Sequence, residues 1–102
     1  MTYPMDSPPE LSVIMPAFNE GAHIHANILR VCEALKGLRF EIIVVDDGSR
    51  DNTLAESQRA ADEGYPVHAV RQEQNRGKGA SLFHGFEFSR GDLTAFLDSD
   101  LE

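Results

Sequence analysis

Four short runs dense in apolar residues punctuate the chain: Leu11–Met15, Phe40–Val45, Val67–Arg71 and Leu93–Leu97. The first of them and Ile42-Ile43-Val44-Val45 are rich in β-branched residues. Near-continuous apolar runs of this length suit strands of a parallel sheet covered on both faces. Three segments of helical periodicity lie between them. The first is predicted from Glu20 to Lys36, with Ile24, Ile28, Val31, Cys32 and Leu35 on one apolar face and Gly37 as its stop. The second is predicted to start near Asp51, a good N-cap, and to end at Gly64. The third carries Leu82, Phe83 and Phe86 and is predicted to end at Gly91. The order β-α-β-α-β-α-β predicts an α/β fold, a doubly wound parallel sheet with helices on both faces and right-handed crossovers.

In such sheets ligands sit beyond the carboxyl ends of the strands, where strand order reverses. Polar, turn-forming residues gather at three of the four predicted carboxyl ends. They are Pro16-Ala17-Phe18-Asn19-Glu20, Asp46-Asp47-Gly48-Ser49 and Asp98-Ser99-Asp100.

Composition narrows the classes of partner. The 102 residues suffice for one small domain, and the net charge of -8 comes with no basic stripe, which argues against nucleic-acid binding. An acidic chain can still take an anionic ligand if a divalent metal inverts the local field. The single Cys32 excludes an internal disulfide and fits a reducing, cytoplasmic setting. No apolar stretch is long enough to span a membrane. Residues 1–10, with three prolines and no apolar core, are not a signal peptide and read as a flexible arm leading into a domain over 11–102.

Three clusters carry candidate chemistry. Asp46-Asp47-Gly48-Ser49 reads either as turn material at a helix entry or as a carboxylate that accepts hydrogen bonds from a base or ribose. Asp98 and Asp100 would point the same way if their segment stays extended, and paired carboxylates suit Mg²⁺ or Mn²⁺ with phosphate oxygens completing the shell. The other reading of this pair is a solvated loop or a helix cap. Asn75-Arg76-Gly77-Lys78-Gly79 opens the third helix, where glycine backbone, helix N-terminus and a lysine charge all favour an anion. It is neither a Walker A loop nor a Gly-x-Gly-x-x-Gly fingerprint, since position 82 is leucine. His23, His25, His68 and His84 lack ligand partners at metal spacing, and Cys32 lies on an apolar stripe.

Taken together and in this order, Leu11–Glu20, Glu41–Asp51, Asn75–Ala80, Gly91-Asp92 and Phe96–Leu101 resemble the family 2 glycosyltransferases, which have the Rossmann-like GT-A fold. Polyprenyl- and dolichyl-phosphate mannosyl- and glucosyltransferases are nearest in character. The resemblance implies that Pro16, Ala17, Asn19 and Glu20 line a base pocket and that Asp46 or Asp47 contacts base or ribose. It implies that Gly77 and Lys78 lie near the nucleotide. Asp98 would face the ribose and metal, and Asp100 the metal. The implied partners are a UDP- or GDP-hexose and, in the full-length enzyme, a lipid-phosphate acceptor at a membrane. Family members carry a second half with the acceptor site and, in many, the base for an inverting displacement. The chain is therefore expected to be the donor-binding half, with no catalytic base of its own.

Two other readings compete. A signalling receiver domain also has an acidic pair after one strand and a phosphoaccepting aspartate after a later one. Against it, the run Leu11–Met15 precedes the acidic-pair strand, and the later Ser/Thr and Lys strands are absent. A non-catalytic nucleotide-binding or interaction module is the third. An uncovered fourth strand is also expected to expose an edge through which copies of the chain associate.

Overall fold

The structure, a computed structural model, describes residues 8–101. Seven elements alternate: β1 (Leu11–Ala17), α1 (Ile24–Ala34), β2 (Phe40–Asp47), α2 (Thr53–Asp62), β3 (Val67–Gln72), α3 (Lys78–Phe88) and β4 (Leu93–Phe96). All pairings are parallel and the strand order is β3-β2-β1-β4, so the α/β reading holds. The first two crossovers run one way, and the third returns across the sheet to β4. With right-handed crossovers that reversal puts α3 on the face opposite α1 and α2. Of the expected arm, residues 1–7 lie outside the described residues. Residues 8–10 run beside Arg39, whose carbonyl accepts from the Glu10 amide at 2.8 Å.

Alternation along the strands divides the core. Val13, Met15 and Ala17 of β1 with Ile42 and Val44 of β2 pack against Ile24, Ile28, Val31 and Cys32 of α1 and Ala60 of α2. Ile14, Ile43 and Val45 form the smaller core on the other face, against Leu82 of α3. Every residue of β2 is buried, as expected of a strand covered on both faces.

Helix α3 corrects a simple reading of its apolar residues. Only Leu82 packs inward among the three; Phe83 and Phe86 are 71% and 55% exposed. The sheet-facing surface is made of small residues instead. Ser81 and Gly85 are buried. A Cβ at Gly85 would lie 2.5 Å from Ile14 Cγ2 and 3.0 Å from Val45 Cγ2, so glycine lets the helix approach the strands closely.

The helix starts also differ. Residues 20–23 form a turn, and α1 begins at Ile24 rather than Glu20. Glu20 O accepts from the amides of His23 (3.0 Å) and Ile24 (2.8 Å), while Gly21 N–H donates to Asp51 Oδ2 at 3.0 Å. Asp51 lies just outside α2, where its carboxylate accepts from both the amide (3.0 Å) and the hydroxyl of Thr53.

At the amino end of the sheet a charged cluster ties α3 to β1 and β2. The Glu41 carboxylate, 1% exposed, accepts from Ser12 Oγ (2.6 Å), Arg90 N–H (2.7 Å) and Arg90 Nε (3.2 Å), with His68 Nε2 at 3.5 Å. Burial alone would raise its pKa, but these partners together outweigh it and lower the value from 4.5 to about 2. The unfolded chain therefore binds a proton on this group before the folded one does. The cluster's contribution is complete above pH 4.5 and lost as the pH falls toward 2. We expect Glu41→Gln to lower the melting temperature at neutral pH, and the gap between variant and parent to close over this window in thermal melts. A gap independent of pH would disprove the assignment.

Candidate functional site

The carboxyl ends of β1 and β4 flank the point where strand order reverses. The two strands are in register from Leu11↔Leu93 to Ile14↔Phe96, and there the pairing stops. Backbone groups of alternate residues in a central strand face opposite neighbours. Leu97 N–H donates to Ile14 O at 2.9 Å, so the amide that Pro16 lacks would fall on β4's side, just past the last pair. A proline in a central strand is tolerated there because it marks the end of the ladder. The strands part, and a cleft of ≈ 220 Å³ opens between Pro16, Ala17, Phe18 and Glu20 on one side and Asp98, Ser99 and Asp100 on the other, with Asp47, Lys78 and Ser81 at its floor and wall.

The twin acids at the end of β2 point to opposite faces, as a period of two requires. Asp46 is fully buried. Its Oδ1 accepts from Ser49 N–H and its Oδ2 from Arg71 Nη1, each at 3.0 Å. It does not line the cleft. Asp47 does, and it also fixes the loop before α3. Its Oδ1 accepts from Arg76 N–H (2.8 Å) and Gln72 Nε2 (2.9 Å), and its Oδ2 from Gly77 N–H (2.8 Å). Gly48, next in sequence, has φ +73°, and a Cβ on it would lie 2.9 Å from Asn75 N. Only glycine gives both the turn and the close approach of the two loops.

Asp98, Ser99 and Asp100 are not an extended segment. Leu101 N–H donates to Asp98 O at 2.9 Å and Leu101 has φ 62°, so a turn follows β4. The premise of side-chain alternation therefore fails here, yet both carboxylates reach the same cleft. Asn27 of α1 anchors the turn by donating its Nδ2 to Ser99 O at 2.9 Å. Across the cleft, Lys78 Nζ lies 2.6 Å from Asp98 Oδ1, and this hydrogen bond raises the lysine pKa above its ordinary value.

Asn19 and Gly77 stand at the margins rather than in the lining. Asn19 (φ 53°) bridges two loops: its N–H donates to Ser49 Oγ at 2.8 Å and its Oδ1 accepts from Arg50 N–H at 3.0 Å. With Ser49, Arg50, Arg71 and Phe18 it borders a second, adjoining hollow of ≈ 740 Å³ beyond β1, β2 and β3. Residues passed over in the sequence are Ser81, Asn27 and Arg71; Phe18 lay within the Pro16–Glu20 segment already singled out and does line the cleft. Asn27 was detectable as a polar residue on the apolar stripe, three after Ile24. Arg71 carried no local signal; its pairing with Asp46 comes from strand register.

Divalent metal fits the donor set in part. Asp98 and Asp100 offer hard oxygen ligands to one cleft, but among the described residues no group of three or more His, Cys, Asp or Glu could hold an ion. Mg²⁺ ordinarily takes one or two carboxylates with substrate phosphates supplying the remainder, so the pair suits an ion that arrives with a phosphate ligand.

Comparison with known proteins identifies the family and the fold. The family model for glycosyl transferase family 2 matches residues 12–102. The dolichol-phosphate mannosyltransferase of Pyrococcus furiosus is 36% identical over 93 residues, covering 91% of this chain and 26% of that protein. The undecaprenyl-phosphate 4-deoxy-4-formamido-L-arabinose transferase of Pseudomonas aeruginosa is 44% identical, covering 98% of this chain and 30% of that protein. The chain thus spans less than a third of the length of these curated relatives. Among solved structures, the mannosyltransferase PcManGT from Pyrobaculum calidifontis, in complex with GDP-Man and Mn²⁺, superposes with a TM-score of 0.82 at 25% identity, covering 93% of this chain and 28% of that one. Glucosyl-3-phosphoglycerate synthase from Mycobacterium tuberculosis, with Mn²⁺, UDP and glucosyl-3-phosphoglycerate, gives a TM-score of 0.70 at 29% identity, covering 89% and 33%.

The anchoring role of Asp47 is testable without any ligand. Asp47→Ala removes one charged acceptor from three donors and is expected to cost about 2–3 kcal/mol of stability. Amide hydrogen exchange should accelerate at Arg76 and Gly77 more than at β1 amides. Uniform acceleration, or none, would show that the carboxylate does not hold this loop.

Proposed function

The chain belongs to glycosyltransferase family 2, and from that premise we propose that its cleft binds the nucleoside-diphosphate sugar, a UDP- or GDP-hexose, of a metal-dependent transferase. The observation that carries this reading is the meeting of Asp47, Lys78, Asp98 and Asp100 with the Pro16–Glu20 segment at the strand-reversal point. In this reading Pro16, Ala17 and Glu20 line the base end, with Asn19 behind them fixing the loop. Asp46 and Asp47 act unequally. Asp47 faces the ligand and sets the Gly77-Lys78 turn, while Asp46 holds the β2–α2 turn and Arg71. Asp98 and Asp100 hold Mg²⁺ or Mn²⁺. Bound there, the ion supplies Lewis-acid stabilisation of the departing nucleoside diphosphate. Lys78 adds a mobile positive charge on the same side.

For an enzyme of the relatives' full length we propose an inverting hexosyl transfer to a polyprenyl (dolichyl) phosphate at the cytoplasmic face of a membrane. The names of the two relatives above support that acceptor, and the family resemblance supports inversion. No catalytic base is assigned among these 102 residues, and no helix among the described ones is long and apolar enough to cross a membrane. Family membership sets the receiver reading aside. The non-catalytic module remains distinct in one respect: it predicts nucleotide binding indifferent to the acidic pair.

Isothermal calorimetry decides between these. UDP- or GDP-hexose should bind with Mn²⁺ or Mg²⁺ and lose at least tenfold in affinity on chelation, Asp98→Ala or Asp100→Ala. Binding untouched by all three would leave only the non-catalytic module. A second expectation concerns assembly. Among the described residues β4 pairs with β1 alone, and Phe83, Phe86, Leu93 and Phe96 are more than half exposed. An open edge beside apolar surface favours association, and we propose a homodimer of this chain through β4. Light scattering at high concentration should give twice the monomer mass for the parent and the monomer mass for Phe96→Lys. A monomeric parent refutes the dimer.

A further inference from the structure

The Lys78–Asp98 ion pair, at 2.6 Å, crosses the cleft and joins the start of α3 to the turn after β4. Both side chains keep substantial exposure, 62% and 41%, so neither is locked by packing. Asp100 lines the cleft beside them. Glu20 and Asp47 line the same cleft, so the one lysine faces four carboxylates there.

Resting on the donor-site reading above, we propose that Lys78 is a positioning residue that couples metal binding to donor binding, by occupying Asp98 until a diphosphate draws it away. The oxygen that accepts from the Lys78 ammonium cannot at the same time give its charge fully to a divalent ion, and two cations on one carboxylate repel. A metal arriving alone must therefore break the ion pair and leave the ammonium without its partner. A metal arriving with a nucleoside diphosphate exchanges that pair for two others: carboxylate with metal, ammonium with phosphate. Lysine suits the exchange because its ammonium is a compact charge on a flexible stem with freely turning donors. The α3 N-terminus, where Lys78 sits, favours the incoming anion as well. The result is positive cooperativity between two ligands, which by linkage is the same in both directions. It also makes the cleft a poor site for free divalent metal, although two carboxylates line it.

The test is an electron paramagnetic resonance titration of Mn²⁺ alone, then of Mn²⁺ with UDP or GDP, into the parent, Lys78→Met, Lys78→Arg and Asp98→Asn. Lys78→Met should bind Mn²⁺ alone more tightly than the parent, on the order of fivefold for the loss of an exposed competing pair. The factor by which nucleotide tightens Mn²⁺ binding should shrink by at least as much. Lys78→Arg, which keeps the charge, should keep the weak binding of Mn²⁺ alone. Because Lys78 is exposed, thermal melts of these variants should match the parent, which separates the effect from misfolding. Equal or weaker Mn²⁺ binding by Lys78→Met, with Asp98→Asn still abolishing it, would overturn the coupling and leave the donor-site reading intact. Mn²⁺ binding unaffected by Asp98→Asn would overturn both.

Discussion

One buried carboxylate sets the geometry of the candidate site. Asp47 ends β2 at 5% exposure and accepts from the Arg76 and Gly77 amides and from the Gln72 side chain. Those two amides belong to the loop that turns into α3, so the carboxylate fixes where α3 begins. Lys78 is the first residue of that helix, and its reach across to Asp98 follows from that start. Gln72 passes the constraint inward, because the same amide nitrogen donates to Ser81 Oγ at 3.0 Å on the sheet-facing side of α3. A charged acceptor in a buried position is costly unless its lone pairs are filled, and here they are filled by groups that also position the ligand-facing residues.

The opposite wall depends on backbone rather than on charge. Pro16 lacks an amide at the point where β4 leaves β1, and the turn Asp98–Leu101 follows at once. Small residues on α3, above all Gly85, let the helix lie close over Ile14 and Val45. Close packing and an interrupted ladder together leave the cleft open at the strand ends while the sheet below it stays buried. At the amino end, Glu41 ties Arg90 to β1 and β2, so α3 is fastened at both of its ends. This arrangement accounts for a cleft whose walls come from four segments far apart in sequence.

Much of this was legible beforehand. The four apolar runs match the four strands, with ends shifted by a residue or two, because a strand buried on both faces must be nearly continuous in apolar residues. The prediction of helices on both faces held, and the family resemblance was borne out. What failed was local. The first helix start moved from Glu20 to Ile24 because the Glu20 and Gly21 amides donate across to Thr53 and Asp51 rather than lying in a helix, while the second lies two residues past Asp51, near its predicted place. The extended reading of Asp98 to Asp100 gave way to a turn, and the α3 phenylalanines face outward because small residues take the sheet-facing side.

The sequence by itself determined the elements, their order and the family, since these follow from periodicity and from motifs that sit within single loops. That Asp46 and Asp47 diverge came from the structure, which carries β2 on through both of them, so that their side chains face opposite ways. Only the tertiary structure decided which of the two opens onto the cleft, since that depends on which face α3 covers. Only it paired Lys78 with Asp98 and Arg71 with Asp46, residues separated along the chain and joined by strand register and a returning crossover. Charge and residue type can be read one position at a time. Which charges meet is fixed by the path of the backbone between them.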